Sequence, residues 1–438
     1  MNPKYPNLLI ISHNLFDRTN NVGKTLQSLL SDWPKDSLFS LYFRNEKPNE
    51  FYCKSYYLLH DKDIIKTFLT AGYLKCGESF NEKSNIKKDC SAVEQSFYKV
   101  GNNRKPLISL IRDMIWHISP WKNKKLKNWL EEIKVDIILF IPNDYQLAFD
   151  VMKYTKQITE ARMITYYMDD AFYFKQKTKG LDRYRRNKLL NEGKKCAIMS
   201  EKLFTTCDLM SDEYEKLFGL TCVSFNNCVD IQSLIKTEKI IRIEKHTQLY
   251  ISYIGNLHSN RWKSVIEIGE ALDSVNRKLN TKSQFHVFSA SNLDKQILNA
   301  FTKIESISFE GSITPEDVVK IQTQSDILVH VESFDSVSKA STRLSISTKI
   351  FEYLAAGKAI FAYGPQDIAS MQYLEDTESS INCYEKKQLV LGLEKIIKSE
   401  NLRKKLGDRG RQFAKNYCSA KKERSRFKNE IFKVLENS

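Results

Sequence analysis

Short apolar runs recur along this chain, and between them apolar residues return every three or four positions. The first kind of segment reads as a buried strand and the second as an amphipathic helix. Residues 7–12 are a strand. Residues 20–30 are a loop feeding a helix, with Val22, Leu26, Leu29 and Leu30 at helical spacing. A strand at 38–43 and a helix at 61–74 follow, with Asp61 suited to cap the latter. After an irregular stretch at 75–122, the alternation resumes. Strands fall at 135–141, broken by Pro142, and at 162–168, ending in Asp169 and Asp170. Short strands at 203–206 and 221–225 flank a helix at 211–218. Residues 226–246 read as a linker with a polar helix. A second series then supplies strands at 249–254, 284–288, 306–309, 327–331 and 359–362. Thr314-Pro315-Glu316-Asp317 marks a helix start, with a hydroxyl cap, proline at the first position and acids in the first turn.

Helices of about 14 residues between strands of about 4–7 build parallel sheets from strand–helix–strand units. The chain is therefore α/β, with two doubly wound, Rossmann-like domains expected at 1–235 and 247–418 and a terminal helix at 419–438. Ligands of such sheets sit at the carboxyl ends of the strands, which points to a cleft between the domains.

Composition narrows the partners. The 438 residues carry 68 Lys and Arg against 53 Asp and Glu, a formal charge of +15. A basic chain favours anions: nucleic acid, phosphorylated ligands or an acidic membrane surface. Nine Cys, with no CxxC pair, and seven scattered His offer neither a disulfide framework nor metal-ligand spacing. The expectation is a reduced, cytoplasmic protein with no metal, no cofactor and no export signal. No apolar run approaches the ~20 residues that span a bilayer. The irregular stretch, about 76–125, is basic and aromatic. Trp116, Trp121, Trp129 and Lys122, Lys124, Lys125 and Lys127 suit an anionic membrane surface, and they equally suit a packed helix followed by a charged one.

The segment 347–365, STKIFEYLAAGKAIFAYGP, carries the most chemistry. Ser347 and Thr348 start a helix whose free N–H groups form an anion site, with Ile350 in the same turn, and Lys349 adds a charge. Glu352, one turn in, can accept hydrogen bonds from a ribose diol. Gly357 ends the helix. An ordinary helix with a solvated Glu fits equally well.

This segment resembles the carboxy-proximal signature of GT-B glycosyltransferases of the family 4 kind, known as group 1. Ile254-Gly255-Asn256-Leu257 is similar to the family's opening turn of the second domain, residues 309–333 to its next run, and Asn227-Cys228-Val229-Asp230 to the close of its first domain. The resemblance covers 249–418 strongly and 1–226 thinly. It implies a GT-B fold, two Rossmann-like domains facing each other across a cleft, with the last helix returning to the first. It implies transfer of a sugar from a nucleotide sugar to an acceptor hydroxyl, with retention of configuration. Glu352 would hold the ribose. Gly255, Asn256, Arg261, Lys263, Lys349 and the helix start would hold the diphosphate.

The pattern also departs from the family. Asn256 stands where an Arg is usual, and Arg261 where Lys is usual. Glu332 and Glu352 lie 20 residues apart where the family's pair lies about eight apart, so 333–347 reads as an inserted loop over the donor, with Arg343 in reach of phosphate. Glu332 is a candidate for the transferred sugar or a plain strand-end carboxylate. In the first domain, His13, Asn21 and Gly23 flank a turn that the family places near the diphosphate and acceptor. The Walker pattern fails, because Arg18 stands where it needs Gly. Asp169 and Asp170 are candidates to orient or deprotonate the acceptor, or to cap a helix. The implied partners are a nucleotide sugar and a glycan or lipid-linked saccharide, with no nucleic acid. The implied setting is bacterial capsule or O-antigen assembly, on the inner face of the cell membrane. A GT-B nucleotide-sugar epimerase and a non-catalytic polysaccharide or nucleic-acid binding protein are the alternatives.

Overall fold

A computed structural model describes residues 5–17, 20–48, 50–84, 106–170, 179–225, 228–229, 231 and 248–436. The chain divides into two compact units, 1–225 with 424–438, and 226–423.

The first unit is built on β1 (Leu8–Ser12), β2 (Leu38–Tyr42), β3 (Ser55–Leu58), β4 (Glu78–Phe80), β5 (Ile137–Phe140), β6 (Arg162–Tyr167), β7 (Lys202–Thr205) and β8 (Cys222–Ser224). They form one sheet in the order β4-β3-β2-β1-β5-β6-β7-β8, parallel except for β4 against β3. β1 and β5 are buried along their whole length, as strands covered by helices on both faces must be. The helices are α1 (Asn21–Leu30), α2 (Asp61–Leu69), α3 (Pro106–Ile118), α4 (Lys124–Glu132), α5 (Gln146–Thr159), α6 (Gly180–Ile198) and α7 (Asp208–Phe218).

The second unit holds β9 (Tyr250–Ile254), β10 (Gln284–Phe288), β11 (Ile307–Gly311), β12 (Ile327–Val331), β13 (Ala359–Tyr363) and β14 (Ser380–Cys383), all parallel, in the order β11-β10-β9-β12-β13-β14. Its helices are α8 (Arg261–Leu279), α9 (Lys295–Phe301), α10 (Pro315–Gln324), α11 (Ser336–Thr342), α12 (Thr348–Ala356), α13 (Ala369–Asp376), α14 (Leu389–Lys398) and α15 (Glu400–Tyr417). Thr314 caps α10 by accepting from the Asp317 N–H.

The last helix, α16 (Ala420–Glu436), starts in the second unit and serves the first from residue 424 onward. Phe427 is fully buried against Phe204 and Phe225, at 5.4 and 4.9 Å between ring centres. Arg162 donates to the Val434 carbonyl, and Lys202 pairs with Glu430.

The 333–347 stretch is not a plain loop. It contains α11, capped by Asp335, whose carboxylate accepts from the Ser338 N–H at 3.0 Å, and Leu344 is fully buried. The three tryptophans of the basic stretch do not lie on the surface: Trp116, Trp121 and Trp129 are at most 5% exposed. Trp129 donates to Ser55 Oγ at 2.8 Å and Trp121 stacks edge-on against Tyr154. The rest of that stretch, 85–105, lies outside the described residues, as do Asn227, Asp230 and most of the linker.

Gly23 shows how tightly α1 enters the first unit. Asn20 caps the helix by accepting from the Gly23 N–H at 2.8 Å, and its amide reaches the Leu15 carbonyl and Asp17. The chain at 15–17 thereby folds back across the first turn, and a Cβ at Gly23 would collide with the Asp17 carbonyl. The close approach that this glycine permits is thus taken by the protein's own backbone. Gly23→Ala is expected to cost about 1–3 kcal/mol, read as a lower melting temperature. Lys24→Ala, on the exposed side of the same turn, should stay within about 0.5 kcal/mol of wild type.

Candidate functional site

In each unit the strand order reverses at one point, and such a switch point opens a crevice at the carboxyl ends of the strands. In the second unit it lies between β9 and β12. Their pairing covers only Ile251 and Ser252 against Ile327 and Leu328, so the strand ends beyond are free to part.

Four sequence-predicted residues converge there. Gly255 and Asn256 follow β9, Glu332 follows β12, and Arg261 is the first residue of α8. Arg261 donates from Nη2 and Nε to Glu332 Oε2, at 2.8 and 3.2 Å, and from Nη1 to Asn256 Oδ1 at 3.1 Å. His330 Nε2 stands 3.4 Å from the other carboxylate oxygen, and Ser264 donates to the Glu332 carbonyl. Glu332 is 2% exposed. Burial alone would raise its pKa, but His330 and the Arg261 guanidinium outweigh that and hold it below the usual carboxylate range. Burial works against the Arg261 charge too, and Glu332 overcomes it, raising the guanidinium's pKa. A Cβ at Gly255 would strike the Tyr253 ring, whose hydroxyl donates to the Asn256 carbonyl at 2.6 Å.

Helix α12 is docked onto the same turn. The Tyr353 hydroxyl lies 3.4 Å from both the N–H and the carbonyl of Ile254, immediately before Gly255. Ser347 is the N-cap residue, but its side chain makes no cap hydrogen bond, and its own N–H goes to Ser370 Oγ at 3.1 Å. The Ser347 side chain thus leaves the first turn of α12 without a cap of its own, and the Ile350 N–H turns back to the Ser347 carbonyl. Glu352 is half-buried and accepts from Gln322 Nε2 at 2.9 Å. Its remaining lone pairs can still accept from a diol. Arg343 is the C-cap of α11, and its carbonyl accepts from the Ala369 N–H.

Lys263 is not part of this cluster. Two residues along a helix turn a side chain through roughly 200°, and Lys263 lines a different cavity of about 500 Å³, with Glu267, Phe334, Tyr363 and Lys386. Tyr363 donates there to Glu267 at 2.7 Å.

The first unit's switch point lies between β1 and β5. A cavity of about 230 Å³ opens there, lined by Ser12, His13, Asn143, Asp144, Tyr145 and Asp169 among others. His13 stacks on Tyr145 at 4.9 Å, and Arg112 of α3 covers Tyr145 at 4.3 Å. Burial, helped by Arg44, Arg112 and His60 and opposed by Asp144, pulls the His13 pKa down to about 4. Its ring is neutral at pH 7, and its buried Nδ1 has no hydrogen-bond partner among the described residues.

The two aspartates part company. Asp169 stands at the cavity mouth, open to solvent on one side, and the surrounding protein raises its pKa by desolvation. Asp170 accepts from the Tyr214 hydroxyl at 3.0 Å and anchors α7. Val22 reaches this cavity, whereas Gly23 lies behind it against Asp17. Asn21 opens α1, and its side chain lies outside the described residues.

Residues 267–423 match the glycosyl transferase-like family. Among solved structures, Anabaena HepE in complex with UDP aligns over 99% of this chain and 100% of its own, at 12% identity and a TM-score of 0.62. Sucrose-phosphate synthase of Thermosynechococcus elongatus aligns over 98% and 99%, at 12% identity and 0.63. WaaG, a glycosyltransferase involved in lipopolysaccharide biosynthesis, aligns over 96% and 99%, at 13% identity and 0.58. No curated protein sequence matches the chain. The chain has a GT-B-like fold of two parallel-sheet units, and the family match lies in the second.

Within this GT-B chain, sequence reasoning passed over Gln322, His330 and the Asn143-Asp144-Tyr145 turn. The turn had a signal: a polar triplet straight after a wholly apolar strand and Pro142 marks the carboxyl end of a central strand. Gln322 and His330 had none, since their roles come from partners distant in sequence. Among the described residues no group of three or more His, Cys, Asp or Glu is placed to hold a metal ion, and no helix is long and apolar enough to cross a membrane.

The Arg261–Glu332 pair makes a pH-dependent claim. A carboxyl whose folded pKa is lowered stabilises the fold above its unfolded value, and that contribution fades as pH falls through the folded value. Wild type should therefore lose melting temperature more steeply than Glu332→Gln below about pH 4.3. Glu332→Ala, which strands the Arg261 charge, should cost about 3–5 kcal/mol at pH 7.

Proposed function

We propose that this protein transfers a sugar from a nucleotide-sugar donor to an acceptor hydroxyl, with retention of configuration. The observation that carries the reading is the docking of α12 by Tyr353 onto the end of β9. It sets a helix start that the Ser347 side chain does not cap, the Gly255 turn and the ribose-competent Glu352 around one crevice. The positive end of α12 and Arg261 would stabilise the departing diphosphate, the place where negative charge develops. Arg261 has five N–H donors, and those not engaged by Glu332 and Asn256 are available to phosphate oxygens. A UDP-type donor is supported by HepE, whose structures hold UDP and UDP-glucose. The description of WaaG supports a setting in bacterial surface polysaccharide assembly, with a glycan or lipid-linked saccharide as acceptor.

The first-unit cavity is the acceptor side of this reading. Neutral His13 and Asp169 would hold the incoming hydroxyl, and retention leaves no need for a strong base. Asp170 would act only through the fold.

Thermal shift against UDP, GDP, ADP, CMP and dTDP tests the donor site. A nucleotide at 100 times its Kd adds about 2.7 kcal/mol to stability, so one of the five should raise the melting temperature. Glu352→Ala should bind that nucleotide at least tenfold more weakly. Absence of any shift at saturating nucleotide would defeat the proposal. On the acceptor side, Asp169→Asn should lower turnover about 10–100-fold, the worth of a charged hydrogen bond, and leave the nucleotide shift intact. Asp170→Asn should lower the melting temperature instead. Equal turnover in wild type and Asp169→Asn would remove Asp169 from the reaction.

A further inference from the structure

The cavity of about 500 Å³ that Lys263 lines lies over the carboxyl ends of β12, β13 and β14. Phe334 follows β12, Tyr363 ends β13, and Tyr384 and Glu385 follow β14, while the first turns of α8 close the remaining side. Its volume falls in the ~300–1,000 Å³ range of small-molecule sites.

The walls combine an aromatic shelf with a fixed carboxylate. Phe334 is 42% exposed, and its ring centre stands 4.8 Å from that of Tyr363, the two rings inclined at 45°. The backbone beside it is clamped. The Asp335 N–H donates to Ser333 Oγ at 3.1 Å, and the Asp335 carboxylate caps α11. The segment that departs from the family's spacing thus delivers the ring. Tyr363, 2% exposed, backs the shelf, and its hydroxyl donates to Glu267 Oε2 at 2.7 Å. Lys386 Nζ stands 3.7 Å from the other Glu267 oxygen and 2.9 Å from Glu270. Glu267 is therefore held from two sides and keeps lone pairs to spare. Lys263, exposed one turn before it on α8, adds N–H donors.

We propose that this cavity binds a neutral saccharide, at a place distinct from that of the transferred sugar. A pyranose has apolar C–H faces and a rim of neighbouring hydroxyls. The exposed Phe334 ring takes a face, and Glu267 accepts from a pair of the hydroxyls in charge-assisted hydrogen bonds. Charge argues against a phosphate occupant, because Lys263 and Lys386 are outnumbered by the carboxylates of Glu267, Asp335 and Glu385. Shape argues against a nucleobase, because two rings inclined at 45° form a corner and not the parallel slot in which a flat base stacks. A sugar can be held here whether or not another is transferred beside Arg261, so the site stands apart from the transferase reading.

The test is saturation-transfer NMR of the full chain, titrated with the methyl glycosides of glucose, galactose, mannose, rhamnose and N-acetylglucosamine. At least one should bind saturably at millimolar concentration, and neither UDP-glucose nor inorganic phosphate should displace it. Phe334→Ala and Glu267→Gln should each weaken that binding by about tenfold or more. Both variants should keep the wild-type melting temperature, since Phe334 is exposed and a glutamine carbonyl still accepts from Tyr363. Absence of saturable binding by all five glycosides overturns the proposal, as does binding that survives both substitutions. Displacement by UDP-glucose equally overturns it, by assigning the sugar to the donor crevice. Displacement by phosphate overturns it as well, by making the cavity an anion site.

Discussion

The second unit turns on one desolvated ion pair. Glu332 is carried to the end of a strand buried along its whole length, where an unpaired carboxylate would be untenable. Arg261 answers it from the first turn of α8 and also grips the side chain of Asn256 after β9. One guanidinium thereby joins three segments at the point where two neighbouring strands cease to pair. A buried pair of this kind adds little net stability over an apolar substitute, yet losing either member is costly. Its worth lies in geometry: the turn that starts with Gly255 cannot drift from the end of β12. Departure from the family's usual cations thus coincides with a local network in which the remaining cation has a carboxylate of its own.

The first unit uses stacked rings for the same purpose. His13 after β1 lies on Tyr145 after β5, and Arg112 of α3 lies over Tyr145 as well. The cation favours the electron-rich ring face, while burial, more than any neighbouring charge, keeps His13 uncharged. A neutral imidazole with an unpartnered buried nitrogen is a group waiting for a hydrogen bond, and it sits where a doubly wound sheet binds its ligands.

Much of this was legible in the sequence for a simple reason. β10 and β12 lie within the sheet, and their apolar content marks them at 284–288 and 327–331 without help from neighbours. β3, β4 and β14 were passed over because pairing makes them strands. Tyr56 of β3 stacks face to face on Phe80 of β4 at 5.7 Å, a contact between residues well apart in the chain, and β14 is four residues at a sheet edge. The same limit applied to the sites. Glu332 was ambiguous because its partner lies 71 residues upstream. Asp169 and Asp170 read as equivalent because what separates them, the cavity beside Asp169 and the Tyr214 hydroxyl on Asp170, comes from residues distant in sequence. The periodicity of α3 was visible, but not which side faces in, since burying Arg112, Asp113 and Trp116 makes sense only once Tyr145 and Arg185 are beside them.

Helix α3 has two occupations, one on each side. Its outer stripe is aliphatic, and its inner Arg112 lies on the ring that backs His13. A helix is about 10 Å across, so the exposed aliphatic side chains Leu107, Ile111, Met114 and Ile118 and the wall of the first-unit cavity are separated by a single rod of backbone. Arg112 reaches from that rod to the Tyr145 ring, 4.3 Å away, on which His13 stacks. The ring that backs His13 is in this way held by the same helix that carries the outer aliphatic stripe.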